Sequence, residues 1–545
     1  MKNIKLSLLF LLAFLSYGCN SILDKTPLDE IGDDAFWADP ILVDYYVNNL
    51  YSIIYLDTRL EQENRTDNSV SAQRDKFRAS TYLFNYNLVS ATDPNDNIWN
   101  DHYEKIRKCN RFLERIGESS IEEDEKNVLT GQVHFLRAMF YFDLVKRYGG
   151  VVLLDKVLTM EDNWKIPRSS EKESYDFIIA DLNKAIELLP NTWSGKDKGR
   201  ATKGAALALK SRAELYDKRY ADAIKSCEAV RQLDYELIPG TTPEDYRSIW
   251  WITNKDNKEI IFDLQFKSPD VYNNMMVFNL VCYINNPYGD RGWGGIGPTQ
   301  DLVDEFELKD GTPAPAFSQK DNGEVFDVNT SKIYENREPR FYANIVFHGS
   351  EIFFKGDKGP VTVDHYLMDT PDKGDASQTG YNVWKWIDYD NYNYPYAGAS
   401  GKDHSTNWIM IRYAEVILNE AEARVETNDI QGALKAVNEI RARVGLPAYT
   451  ETNQEKLRQL IRKERRLELA FEDHRFYDVR RWRIGAQTQG KLHGLKFVSP
   501  TEFTVETVDT RSWDDRLYLH PIPYEEIIRV SAIKQNTGYN GYYIF

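Results

Sequence analysis

Apolar positions recur at helical spacing through most of the first 240 residues. ILVDYYVNNLYSIIY (41–55) carries one such pattern, and a second runs from Ile98 to Ile116. A third runs from Glu122 to Tyr148, where VHFLRAMFYFDLVKRY is apolar around much of its circumference, as a helix packed on two sides requires. Gly149 and Gly150 stop it. Helical patterns follow at 172–189, 203–217 and 219–232. KGAALALKSRAELY puts Ala205, Ala206, Ala208 and Ala213 where helices approach closely, and RYADAIKSCEAV begins a second helix after a tight turn. A similar hairpin recurs at IRYAEVILNEAEARV (411–425) and DIQGALKAVNEIRARVG (429–445), and a further helix is predicted at about 455–471. Both hairpins resemble tetratricopeptide helix pairs, in which small residues on one helix meet an aromatic on the next.

Between 241 and 410 the pattern changes. Short alternating runs such as EIIFDLQF (259–266) are separated by Asn, Gly, Pro and Asp clusters, and the segment holds six of the twelve tryptophans. At its end, YDNYNYPYAG (389–398) follows neither a helical nor a strand period, and Pro395 would remove a ladder donor. The architecture this predicts is mainly α: a helical scaffold drawn from both sides of the sequence, 36–240 and 241–545, carrying an irregular aromatic-rich segment at 241–410. The two parts are expected to form one compact unit.

Charge and the N-terminus add the compartment. The net charge is −16, a surface that repels phosphate backbones, so nucleic acid is not an expected partner. Lys2 and Lys5 precede the apolar run LSLLFLLAFL, which is too short to span a bilayer and has the form of a signal peptide. Ser16, Tyr17 and Gly18 lead to Cys19, as at a lipoprotein cleavage site. Residues 1–18 are therefore read as a removed signal, Cys19 as the acylated N-terminus and 19–35 as its tether. Cys109, Cys227 and Cys282 are far apart and lack metal-ligand spacing, so isolated buried thiols are expected.

Catalytic chemistry finds little support. No HExxH, GxSxG or GxxxxGK[ST] motif occurs, and no cofactor is expected. GWGGIG (Gly292, Gly294, Gly297) follows a turn-like NNPYGDR and no βαβ pattern surrounds it, so it reads as a glycine-rich loop around Trp293. Asp93, Asn95, Asn97, Asp101 and Glu104 have calcium-hand spacing, but Ile98 occupies the position that needs Gly. Helix capping is the preferred reading there. ERRLELAFEDHRFYDVRRW (464–482) reads as a salt-bridged helix end. What remains is aromatic: 13% of the chain, with 34 Tyr. Sugar rings stack their C–H faces on Tyr and Trp, while Asp, Asn and Arg bond the hydroxyls. Candidates are Trp99, the group Tyr272, Tyr283, Tyr288 and Trp293, and Trp384 with the tyrosines that follow it, Tyr392 and Tyr394 among them.

Stretches from nearly end to end resemble the SusD/RagB family of surface lipoproteins. They include CNSILDKTP, FLRAMFYFDLVKRYGGVVLL, RATKGAALALKSRAELY, PTQDLVDEFE and WIMIRYAEVILNEAEA. VNEIRARVGLP, ERRLELAFEDHRFYDVRRW, LHPIPYEEI and QNTGY continue the match. The resemblance implies a SusD-like α-helical fold with four tetratricopeptide-like units and a lipid anchor in the outer membrane. It also implies a partner, a SusC-like TonB-dependent transporter capped by the lipoprotein as a lid. Family members commonly bind oligosaccharides without catalysis. By position, Asp67, Trp99 and Asn100 fall in one site element and Tyr288, Arg291 and Trp293 in another. RagB-like members handle peptides, which leaves a peptide-binding lid open, and a structural subunit without its own ligand is a further alternative. Cys19→Ala is expected to release the protein from the membrane fraction on cell fractionation; continued anchoring would refute acylation there.

Overall fold

The helices begin where side chains take up their first free amides. In the computed structural model, residues 31–54, 60–71, 79–267, 270–273, 279, 294–352, 360–368, 377–388 and 405–539 are described. Asp39 accepts from the Ile41 and Leu42 amides and starts α1 (Pro40–Ser52). α2 (Trp99–Arg115) and α3 (Glu123–Tyr148) follow, and Gly149 ends α3 with φ 72°, a conformation that suits glycine. Ser170 and Glu173 form a reciprocal capping box on α4 (Glu171–Leu188). Thr202 caps α5 (Lys203–Tyr216), and α6 (Tyr220–Arg231) turns back along it. In the second half come α7 (Tyr413–Glu426), α8 (Ile430–Arg443), α9 (Gln454–Glu468) and α10 (His474–Arg481).

Consecutive helices from α2 to α6 pack on one another, as do α7 and α8, while α7 also lies against α5, α6 and α9. That crossing joins the two halves of the sequence. Ala205, Ala206, Ala208 and Ala213 are buried in it as expected, and Ala414, Ala421, Ala433 and Ala436 do the same on the other side. Among the described residues no helix is long and apolar enough to cross a membrane.

The strands are short: β1 (Ser69–Ser71), β2 (Ile260–Leu264), β3 (Ile296–Pro298), β4 (Val325–Asp327) and β5 (Trp408–Arg412), then the longer β6 (Lys491–Ser499) and β7 (Glu502–Thr510). All pairings are antiparallel: β1 with β3, β2 with β5, and β6–β7–β4 as a sheet. Two expectations change here. The helical pattern assigned from Ile411 starts two residues too early: 408–412 is a strand, and the helix begins at Tyr413. β-branched Ile409 and Ile411 are buried in it, and EIIFDLQF supplies its ladder. The hairpin at 491–510 went unpredicted, although KLHGLKFVS and EFTVETVDT bury alternate residues over much of their length.

A second apolar core, holding Trp250, Phe306, Phe341, Trp386 and Phe503, sits under the irregular segment. Between it and the helices lies a buried ionic network. Glu468 meets Arg340 at 3.1 Å and Arg412 at 2.7 Å, and also pairs with Arg443. Arg412 further binds Glu259 and Glu472, Arg340 binds Glu338 and Glu464, and Lys385 binds Glu472. Burial alone would raise the Glu468 carboxyl; Arg443, Arg412 and Arg340 hold it well below the ordinary carboxylate range. The charge-dense 464–482 run is thus a structural junction, formed by α9, α10 and the turn between them. Cys109 and Cys227 are buried free thiols, and Cys282 lies outside the described residues. Glu468→Gln would leave three guanidinium groups without their shared counter-ion. A loss of about 3–5 kcal/mol is expected in urea unfolding; an unchanged midpoint would contradict the central role of this carboxylate.

Candidate ligand-binding site

Of the predicted ligand residues, Asp67, Trp99 and Asn100 fall among the described residues, as do the aromatic candidates Tyr272, which is exposed, and Trp384. Cys19, Tyr288, Arg291, Trp293, Tyr392 and Tyr394 lie outside them, as do all of YDNYNYPYAG, Tyr283 and Gly292.

Asp67 is 8% exposed. Arg475 grips both its oxygens at 2.8 Å, and Arg466 adds a third contact at 3.0 Å. Burial pushes this carboxyl up, but Arg466 and Arg475 outweigh it and bring it to about 2. The carboxylate therefore ties the 63–71 segment to α9 and α10. Next to it, β1 and β3 pair Ser71 with Ile296, and Asn64 donates to the Gly295 carbonyl. The chain thus comes back beside 64–71 immediately after the second predicted site element. Gly297 belongs to this ribbon, not to a phosphate loop: a Cβ there would stand 2.7 Å from Thr379 Oγ1.

Trp99 and Asn100 open α2, where Asn97 Oδ1 accepts from the Trp99 amide, as the capping reading of this stretch expects. Among the described residues no group of His, Cys, Asp or Glu is placed to hold a metal ion. The Trp99 ring is 2% exposed, set edge-on to Tyr148 at 5.1 Å and near Tyr103 at 5.2 Å. Trp99, Asn100 and Tyr103 line a cavity of about 600 Å³ with Trp164, Arg107 and Arg529. Trp164 is the exposed ring there, 53% accessible and held by its Nε1 bond to the Thr159 carbonyl.

A second concavity, about 460 Å³, lies on the irregular segment, where the aromatic excess was expected. Trp384, Trp251, Tyr342 and Phe347 line it, with Arg247, Glu244 and Glu351 at its polar positions. All four rings are half-buried. The neighbouring residues explain their rigidity. Trp386 points inward and stacks on Trp408 at 5.1 Å and 7°, with Trp250 at 5.8 Å. Its Nε1 donates to the Phe471 carbonyl, and Lys385 is buried against Glu472. Burial lowers that ammonium to about 8 despite Glu472. The strand-like run ends at Val383 and the chain turns at Lys385 and Trp386, the latter at φ 74°, which leaves Trp384 half-buried at the groove while its neighbours anchor the backbone. Arg247 lies 4.3 Å over Trp384 and donates to Glu244 at 2.9 Å and to the Tyr342 carbonyl at 3.3 Å. The arrangement offers flat apolar faces beside fixed donors and acceptors.

The structure therefore brings Trp99 and Asn100 together, separates them from the Trp384 groove, and commits Asp67 to ion pairs. Trp251 and Trp164 escaped the sequence reading. An isolated Trp in the polar run EDNWK, and one outward member of the Trp250–Trp251 pair, were the available signals.

Residues 258–539 match the profile of the SusD family, and 23–215 match one described as starch-binding, associating with the outer membrane. SusD-like protein P25 of Formosa agariphila is 26% identical over 560 residues, 97% of this chain and 98% of that protein. A solved SusD-like protein from Bacteroides fragilis is 71% identical, with TM-score 0.90 over 94% of this chain and 100% of that one. A SusD-like carbohydrate binding protein from the same species is 26% identical, with TM-score 0.77 over 91% and 99% of the two chains.

The Asp67 ion pairs predict a pH signature. Their carboxyl sits at about 2 in the folded chain, against about 3.9 unfolded, which corresponds to roughly 2–3 kcal/mol. Because the folded value is depressed, this stability is present above about pH 4 and disappears as pH falls towards 2. Asp67→Asn should be less stable at pH 7 and show a flatter loss across that window in urea titrations. Equal slopes for both proteins would contradict the assignment.

Proposed function

The chain belongs to the SusD family, and from that premise we propose that it is a non-catalytic surface lipoprotein that binds an oligosaccharide or polysaccharide. It delivers this ligand to a SusC-like TonB-dependent transporter in the outer membrane. The observation that carries the glycan reading is the Trp384–Trp251 groove with Arg247, Glu244 and Glu351 beside it. Its rings are positioned before any ligand arrives, so binding orders few side chains and costs little conformational entropy. The starch-binding profile and the carbohydrate-binding relative support the same ligand class. The profile's outer-membrane association agrees with an anchor at Cys19. The transporter partner rests on family membership.

Capture of roughly millimolar to micromolar strength, about −4 to −8 kcal/mol, is enough for this role. Many surface copies on one polymer add avidity.

An affinity gel against a panel of polysaccharides, followed by calorimetry, tests the reading. Trp384→Ala is expected to weaken glycan binding at least about tenfold, about 1.4 kcal/mol, with Tm nearly unchanged. Undiminished binding would remove the groove from the site, and binding of oligopeptides with no glycan binding would replace the glycan by a peptide. Co-purification from membranes should recover a TonB-dependent transporter; its absence would overturn the delivery step.

A further inference from the structure

The Trp384 groove carries three charged side chains, and their charges do not cancel. Arg247 is committed: it lies 4.3 Å over the Trp384 ring, donates to Glu244 at 2.9 Å and donates to the Tyr342 carbonyl at 3.3 Å. The Arg247 side chain is 13% exposed and that of Glu244 63%, so the carboxylate end of this pair meets solvent. Glu351 is the second carboxylate on the lining, exposed and without an ion pair among the described residues. Among those residues no lysine or histidine lines the groove, so one negative charge is left over.

Glu351 stands at a fixed point on the rim. Residues 347–350 form a turn in which the Ser350 amide donates to the Phe347 carbonyl at 3.0 Å and the Phe347 amide donates to Ser350 Oγ at 3.0 Å. Gly349, at φ 91°, donates its amide to the Val363 carbonyl at 2.8 Å, and the Val363 amide returns a bond of 2.8 Å to the Ser350 carbonyl. Glu351 follows at once, paired across with Thr362. Its side chain takes the exposed side of the short strand, and that of Ile352 takes the buried one. At the other end of the turn the Phe347 ring is held 4.4 Å from Tyr334 and 5.4 Å from Phe341. A carboxylate and an aromatic ring on one braced turn thus join Trp384 and Trp251 on a single lining.

Aromatic faces carry the negative side of a quadrupole, and a carboxylate without a partner gains most from a cation. We propose that the groove takes a saccharide bearing a protonated amino group, an unacetylated amino sugar. The inference rests on the glycan reading of this groove and adds the charge of the sugar. The ammonium bonds Glu351, and the C–H face of the sugar ring lies against the indoles. A neutral hydroxyl also bonds a carboxylate, but only the ammonium neutralises it as well. Arg247 shows the same preference within the chain, because a cation already rests on the Trp384 face. A uronate or sulfate would instead meet Glu244 and Glu351 in a chain of net charge −16.

Calorimetry on the full chain tests this with hexamers of glucosamine, N-acetylglucosamine, glucose and galacturonate, at about pH 6, where the sugar amine is protonated. The glucosamine hexamer is expected to bind at least about fivefold tighter than the two neutral ones, with galacturonate weakest. Raising salt from about 0.02 to 0.3 M should shrink that preference. Glu351→Gln should bring the ratio of glucosamine to glucose affinity to about one, with Tm unchanged. Equal affinity for charged and neutral hexamers overturns the proposal, as does a preference that survives Glu351→Gln, tighter binding of galacturonate, or no binding of glucosamine at all. Binding of some other polysaccharide that Trp384→Ala weakens would then leave the glycan reading standing, so the two failures are distinguishable.

Discussion

Glu468 is the carboxylate on which the join between scaffold and irregular segment depends. It stands where α9 ends and receives Arg340 from the irregular segment, Arg412 from the strand leading into α7, and Arg443 from the end of α8. A cluster of that many buried charges is stable only when each is matched, because desolvation exceeds what a single imperfect pair returns. Matching fixes geometry as well as energy: moving any one element would strand a charge in a dry space. The apolar cores tolerate small sliding adjustments; the network does not. It holds the aromatic segment in one place relative to the helices.

The groove inherits its stiffness from that arrangement. Lys385 and Trp386 are buried, one in the network and one stacked on Trp408, and Trp384 stands on the residue immediately before them. An aromatic platform on an otherwise irregular stretch would ordinarily sample many orientations. Here the backbone beneath it is as constrained as a core strand. Binding surfaces on loops over a rigid support follow the same logic.

Much of this was legible in the residues. The helices from 41 to 232 were readable from apolar period and stops, since a helix packed on one or two sides must repeat every 3.6 residues. The dense charges of 464–482 were correctly structural because their number at close spacing exceeds what solvent-facing pairs need. The 408–412 strand was missed because five residues next to a helix, four of them buried, carry no period of their own; only the partner at 260–264 decides their conformation. Asp67 shows a similar limit. Its chemistry suits a sugar hydroxyl, and nothing local reveals that Arg475, 408 positions away, has already claimed it. The Trp384 groove combines residues from 243 to 387, so its aromatic content was visible and its assembly was not.

The Asp67–Arg475 pair and the β1–β3 ribbon also order events in time. Closing a chain over several hundred residues carries an entropy cost that local helix pairs do not incur. The early helices can therefore condense as their sequence becomes available, while 63–71 waits for partners at 296–298 and 466–475. That segment is among the last parts of the first half to acquire its native neighbours. A chain truncated before residue 466 would keep its helix pairs yet lose both Arg466 and Arg475 and leave Asp67 as an unmatched charge.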